Sequence, residues 1–329
     1  NAYYNRLESL GVAIFYQATV LDEVIRNREI AGGPVDLGGA QQYRRGRCVV
    51  LASGGFEADK DWLASVWGDA ARNFLIRGTP YNTGEVLKGV LAGGADQVGD
   101  PTQCHAVAID GRAPEYDGGI VTRVDCVPFS IVVNEEGKRF YDEGEDVWPK
   151  RYAIWGRLVA KQPNQVAYAI IDSKSKDLFM PTVFSATVTE SLDDMAQQLG
   201  LPGDELLATV QDFNAACQDG DFFPTELDGL RTKGLSPRKT NWARPLDTPP
   251  FYGYELRPGV TFTYLGFRVG HDAKVSFGGV PSKNVWAAGE IMAGSILGEG
   301  YLAGFGMTIG TVFGRIAGEG AGGYAKASA

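Results

Sequence analysis

Residues 287–318 read AAGEIMAGSILGEGYLAGFGMTIGTVFGRIAG, with nine glycines and only three charges, Glu290, Glu299 and Arg315. The stretch is too rich in glycine for an ordinary amphipathic helix and too apolar for a solvent loop. It predicts a short buried strand ending at Ala287 and Ala288, a glycine loop, and a helix that starts near Gly304 to Gly306. Gly306, Gly310, Gly314 and Gly318 recur every four residues, so they share one helix face and would let another backbone approach closely. A helix opening from such a loop offers free N–H groups and a positive dipole end to an electron-rich ligand. The same spacing suits a transmembrane helix pair, but the uncharged run between Gly300 and Arg315 is shorter than the roughly 20 residues a bilayer needs. Close packing of the helix on a sheet, with no ligand, is the alternative that this stretch alone leaves open.

The remainder of the chain narrows the function class. Its 329 residues suffice for two domains with separate cores, and no apolar run is long enough to span a membrane. A net charge of −9 argues against a nucleic-acid partner. Cys48, Cys104, Cys126 and Cys217 are widely scattered, and His105 and His271 are the only histidines, so neither a disulfide framework nor a metal site is expected. A reduced, cytoplasmic setting fits this cysteine usage.

Hydrophobic periodicity predicts helices over 3–10, 60–67, 83–92, 192–199 and 204–217, and strands over 12–16, 47–52, 129–133 and 167–171, with a Gly/Pro loop at 31–40. Strands running into glycines characterise both ends of the chain, whereas the middle is irregular and charged. The expected organisation is one α/β domain split in sequence, residues 1–100 and 263–329, with a second domain inserted at 101–262. A literal G-x-G-x-x-G at Gly318, Gly320 and Gly323 has no preceding strand and no βαβ unit after it, so it reads as a tail, not as a dinucleotide fingerprint.

In order along the chain, VVLASGGF (49–56), NEEGKRF (134–140), TYLGFRV (263–269) and AAGEI with FGRIAG (within 287–318) resemble the flavoprotein family of fumarate reductases, succinate dehydrogenases and 3-ketosteroid dehydrogenases. Within it, RGTPYNTGEVL, DGGIVTRVD, FYDEGEDVWPKRYAIWGRLVA and GEGYLAGFGMTIGTVFGRIAG resemble the FAD-dependent tricarballylate dehydrogenases. The resemblance implies a Rossmann-like FAD-binding domain with an inserted α+β capping domain, and a substrate held between cap and flavin. The family's first strand, glycine fingerprint and ribose-binding acid have no counterpart here, so a chain truncated at its N-terminus is expected. FAD is the implied cofactor. Its implied contacts are the turn Ser53, Gly54, Gly55 and Phe56, the loop residues Gly289 and Glu290, and the helix start Gly304, Phe305 and Gly306.

On the substrate side, His105 aligns with a histidine that binds a substrate carboxylate, and Thr263 opens a turn that borders the substrate. Two fumarate-reductase holders are replaced: Phe262 stands for a second histidine, and Gly300-Tyr301 for an arginine. Arg151 resembles the family's proton-shuttling arginine; as a base it needs a carboxylate relay, for which Asp142, Glu143, Glu145 and Asp146 are near in sequence, and a dry site. Tyr301 is the rival proton acceptor. Arg123 and Lys150 complete a cationic set with His105 and Arg151, while Arg77 and Arg257 are either further holders or surface arginines. The resemblance thus implies a small anionic carboxylate as substrate, dehydrogenated from tricarballylate to cis-aconitate, and an electron-acceptor protein or quinone as redox partner. A fumarate reductase-like or ketosteroid dehydrogenase-like enzyme, the latter given Tyr301 and the missing histidine, and a fragment without activity are the alternatives.

Overall fold

The computed structural model describes every residue except Glu23, Gly119 and Ala329; Gly119 of the DGGIVTRVD motif therefore lies outside the described residues. The larger sheet is organised by the 13-residue strand Phe251–Thr263. Its first half pairs antiparallel with Ala167–Asp172 and Thr187–Thr189, and its second half with Cys104–Asp110. Leu75–Ile76 joins it in parallel, so a strand from before residue 101 belongs to this sheet. Ile131–Asn134 extends the sheet beyond Ala167–Asp172.

The long strand was masked by prolines, which argue against a central strand because they donate no ladder hydrogen bond. Pro258 pairs with Ala108, two residues after the pairing with Ala167–Asp172 ends at Leu256, so the missing N–H falls where the strand changes neighbours. A register shift between Val260 and Phe262 then sets Phe262 directly opposite His105. Such bulges re-aim side chains beside binding sites.

Helices Leu192–Leu199 and Gly203–Ala216 match the amphipathic expectation, burying Met195, Leu206, Val210 and Phe213 against Ile131, Val133 and Ile170. The short helix Trp155–Ala160 lies against Cys104–Asp110 so closely that a Cβ on Gly156 would be 2.5 Å from the Ala106 carbonyl carbon. At the edge of this region Arg139, Glu143 and Lys239 are all buried. The Glu143 Oε1 accepts from Arg139 Nε at 2.9 Å and from the Val132 N–H at 2.9 Å.

The second sheet has the parallel pair Val49–Leu51 and Val280–Ala287, with Lys274–Phe277 antiparallel to the latter. The parallel strands end side by side and release two turns, Ser53 to Phe56 and Ala288 to Glu290. Ligands collect at the carboxyl ends of parallel strands. The helix after the glycine loop is Phe305–Ala327, close to the expected start.

Several expectations fail locally. Residues 12–16 form no strand and are mostly exposed, because no neighbouring strand pairs with them. The expected loop at 31–40 is instead half of a hairpin, Gly32–Leu37 with Ala40–Arg45, turned by Gly38 and Gly39 at positive φ. Gly318, Gly320 and Gly323 lie within the last helix and form no tail. The four-residue glycine stripe also misleads: a Cβ on Gly310, Gly314 or Gly318 would meet nothing within 4 Å. The helix seats on Trp286 through Phe313, Ala317, Ala321 and Tyr324, and the close approach is at Gly320, where a Cβ would be 2.6 Å from the indole nitrogen.

Candidate active site

Three elements converge on His105. The strand Cys104–Asp110 carries it, the glycine loop brings Tyr301 to a ring-centroid distance of 4.1 Å, and the short helical turn Tyr152–Ile154 brings Tyr152 edge-on at 5.2 Å. Phe262, across the ladder from His105, lies 5.9 Å from the Tyr301 ring. The Tyr301 hydroxyl oxygen accepts the Gly306 N–H at 2.6 Å, in the first turn of the last helix. Burial holds the Tyr301 and Tyr152 phenols above their ordinary pKa.

Two guanidinium groups flank this cluster, each beside its own aspartate. Arg123 lies over the Tyr152 ring at 4.8 Å and grips Asp125 with two donors, Nε and, at 2.7 Å, Nη2. Asp125 also accepts from the Trp148 indole at 2.7 Å. Arg77 stands 3.7 Å from Asp117. Both ring nitrogens of His105 are buried without a hydrogen-bond partner among the described residues. Burial, reinforced by Arg77 and Arg123, pushes the His105 pKa down to about 3, so the imidazole is neutral at neutral pH.

That depression has a consequence for stability. An unfolded histidine titrates near 6.5, so between roughly pH 3 and 6.5 the unfolded chain holds a proton that the native state refuses. Stability from this group is complete above that window and falls on acidification by up to about 1.4 kcal/mol per pH unit. The urea midpoint of a His105→Phe variant is expected to fall less steeply than wild type between pH 6 and 4; parallel slopes would contradict the assignment.

The turn Ser53 to Phe56 meets the Glu290 loop at a second cluster. The Phe56 N–H donates to Thr263 Oγ1 at 3.2 Å, and Thr263 donates to Glu290 Oε1 from its N–H at 2.7 Å and its hydroxyl at 3.1 Å. Thr263 is buried, and its hydroxyl donates to Glu290. A Cβ on Gly55 would sit 2.1 Å from Thr263 Oγ1 and 2.2 Å from Glu290 Oε1, so only glycine permits this junction. Glu57, held by Asn82 Nδ2 at 2.6 Å, meets Glu290, and burial with the neighbouring carboxyl raises the Glu290 pKa well above the usual range. Glu57 Oε2 is buried with no hydrogen-bond partner among the described residues, and burial raises the Glu57 pKa.

The residues present suit a flavin nucleotide. Gly289, Gly300 and Gly304 have positive φ and open space where a Cβ would be, so ligand can approach the backbone there. The last helix begins at Phe305 after the N-cap Gly304, and in its first turn the Gly306 N–H is taken by the Tyr301 hydroxyl. Lys150 and Arg151 end the short helix Trp148–Arg151, immediately before Tyr152. Lys150 is exposed and pairs with Asp146 at 3.3 Å, and Arg151 pairs with Glu145 at 2.9 Å. Glu145 also accepts from the Tyr141 hydroxyl, so the carboxylate expected beside Arg151 is present; the arginine side chain is 35% exposed, while its Nε is buried.

The family described as FAD binding domain matches residues 1–306. The chain belongs to that family. FAD is its cofactor. This FAD-binding chain is 28% identical over 98% of its length to 4-oxocyclohexanecarboxylate 2-dehydrogenase of Sinomonas cyclohexanicum, and covers 60% of that protein. It is 27% identical over 92% of its length to 3-oxosteroid 1-dehydrogenase of Mycobacterium tuberculosis, covering 58% of it. Among solved structures, the open conformation of a flavocytochrome c3 fumarate reductase superposes with a TM-score of 0.73 at 20% identity, over 98% of this chain and 54% of that one, which shows a shared fold. The chain therefore spans about three-fifths of the two dehydrogenases.

Tyr152, Asp117, Asp125, Glu57 and Asn82 were not singled out as site residues from sequence. Tyr152 follows Arg151 directly and read only as an aromatic among charges. The signal for Asp125 lies in its i+2 spacing from Arg123, which on an extended segment lets the two side chains meet on one side.

Proposed function

We propose that this FAD-binding chain carries the active site of an oxidoreductase that desaturates the bond α,β to a ketone, removing one hydrogen from each carbon. The observation that supports this most directly is the Tyr301 hydroxyl, backed by the Gly306 N–H and seated against His105. Because its oxygen already accepts from the helix start, its own hydrogen is presented outward. Tyr301 then serves as donor to the substrate carbonyl, stabilising negative charge that develops on oxygen, and is not the proton acceptor.

The α-proton passes to the Tyr152 oxygen as phenolate. The Arg123 guanidinium over its ring and Arg77 favour that ionised form, against the burial that opposes it. When bound, FAD accepts the two electrons and the second hydrogen as a hydride equivalent. His105, itself neutral, packs against both tyrosines.

The charge arrangement bears on substrate. Of the cations expected to hold three carboxylates, His105 is neutral, Arg123 is paired with Asp125, and Lys150 and Arg151 are paired with Asp146 and Glu145. Phe262 adds an aromatic wall where a cationic holder would stand. This supports a ketone over tricarballylate, and the two dehydrogenases compared above are named for cyclic ketones. The test is hydrogen exchange. In D2O, the FAD-loaded protein without electron acceptor is expected to exchange the α-hydrogens of a cyclic ketone faster than buffer, and exchange no faster than buffer would count against the reading.

A further inference from the structure

Strand Cys104–Asp110 is covered on both faces. His105, Val107 and Ile109 alternate toward Tyr152 and Tyr301, whereas Cys104 and Ala106 pack with Trp67, Phe74 and Ala160. On this second side lies a cavity of about 350 Å³, the size of a small-molecule site, bounded by Trp67, Thr102, Gln103, Tyr141 and the segment 154–161. Its lining holds two cations, Arg157 and Lys161, and no carboxylate. Arg157 is half-buried and bonds an amide: its Nη1 donates to Gln103 Oε1. Of the five N–H donors of a guanidinium, that one alone has a partner among the described residues, and the Nε is buried without one. The Trp67 indole N–H is likewise buried with no acceptor among the described residues. Lys161 is exposed and forms no ion pair among the described residues. The acids that touch the lining are turned to other donors: Glu145 accepts from the Tyr141 hydroxyl at 2.8 Å, and Asp100 accepts from the Thr102 hydroxyl at 2.7 Å.

We propose that this cavity is a second ligand site, separated from the His105 cluster by the sheet, and that it takes a small organic oxyanion, a carboxylate or a phosphate ester. Arg157 and Lys161 hold the charged end, and the apolar body lies against Ile154, Leu158 and the Trp67 ring. A buried N–H without an acceptor carries a desolvation cost that an arriving oxygen relieves. A guanidinium edge matches the paired oxygens of either anion, and bonds to such charged acceptors are stronger than the one Arg157 now makes to an amide. A neutral analogue forfeits the cations, and a bare inorganic ion forfeits the apolar wall. None of these residues takes part in the proposed desaturation.

Calorimetric titration of the FAD-loaded protein with benzoate, phenyl phosphate, benzyl alcohol and inorganic phosphate tests the site. Benzoate, phenyl phosphate or both are expected to bind with the flavin absorption unchanged, and the tighter of the two tells carboxylate from phosphate ester. Benzyl alcohol and inorganic phosphate are each expected to bind about tenfold or more weakly than the better oxyanion. Arg157→Gln is expected to weaken that oxyanion by about tenfold or more, and the exposed Lys161→Gln by about threefold at low salt, an effect that shrinks as salt rises. No binding of either organic oxyanion up to about 10 mM overturns the proposal. So does equally tight binding of benzyl alcohol or inorganic phosphate. Binding that perturbs the flavin spectrum and is unchanged in both variants also overturns it, because the ligand then sits at the His105 cluster. If Arg157→Gln does not fold, Lys161→Gln decides, and unchanged affinity at low salt overturns the proposal.

Discussion

Replacing Tyr301 with Phe is expected to lower kcat/KM by about 10²- to 10³-fold while FAD remains bound, the range seen when one oxyanion donor is removed. The ring survives in this variant, so its tilted packing on His105 at 4.1 Å and its contact with Phe262 are kept. Only the hydroxyl is lost, and with it the hydrogen presented to the carbonyl. The Gly306 N–H, which donates to that oxygen at 2.6 Å, is then left facing the ring edge and can reach substrate only by closing the gap itself. The loss should fall on kcat more than on KM, because the donor matters most as charge builds on oxygen. Unchanged kcat would remove Tyr301 from the chemistry. Loss of the flavin spectrum would instead assign it to cofactor binding.

Glu143→Ala is expected to destabilise the fold by about 3–5 kcal/mol, because it strands two buried cations. Glu143 is the counter-charge to Arg139, which binds it through Nε at 2.9 Å, and to Lys239, whose Nζ otherwise donates to the Ser130 carbonyl at 2.5 Å. Lys239 is 1% exposed, and burial already pulls its pKa down to about 8. Despite complete burial, which alone would raise it, the Glu143 pKa is lowered, with Arg139 the main cause. Its stabilising share is therefore present above the ordinary carboxylate range and is lost as pH falls through the depressed value. Chemical unfolding at pH 7 measures the effect. A paired Arg139→Met, Glu143→Leu variant should recover much of it, whereas a loss under about 1 kcal/mol for Glu143→Ala would mean the cluster is hydrated in solution.

Sequence made the ends of the parallel strands legible, since apolar runs that stop at Ser53-Gly54-Gly55 and at Ala287-Ala288-Gly289 can only be buried strands leaving into turns. The helices with a clear apolar face were legible for the same reason. The strand Phe251–Thr263 was hidden because Pro258 and the prolines at 249 and 250 outweigh its aromatic alternation. The every-fourth glycines were read as a packing face, but the helix packs on its alanine and phenylalanine side, a choice made by Trp286 from another element. At the site, His105 and Tyr301 could be named singly. Their ring contact, and the pairing of each arginine with an aspartate, depend on a bulge and a glycine loop that no local pattern specifies.

The most direct test is anaerobic mixing of the FAD-loaded protein with a cyclic ketone, following the visible absorption of the oxidised flavin and identifying the product. Bleaching accompanied by one equivalent of the α,β-unsaturated ketone is the predicted result. Bleaching by tricarballylate, with cyclic ketones leaving the spectrum unchanged, would contradict it.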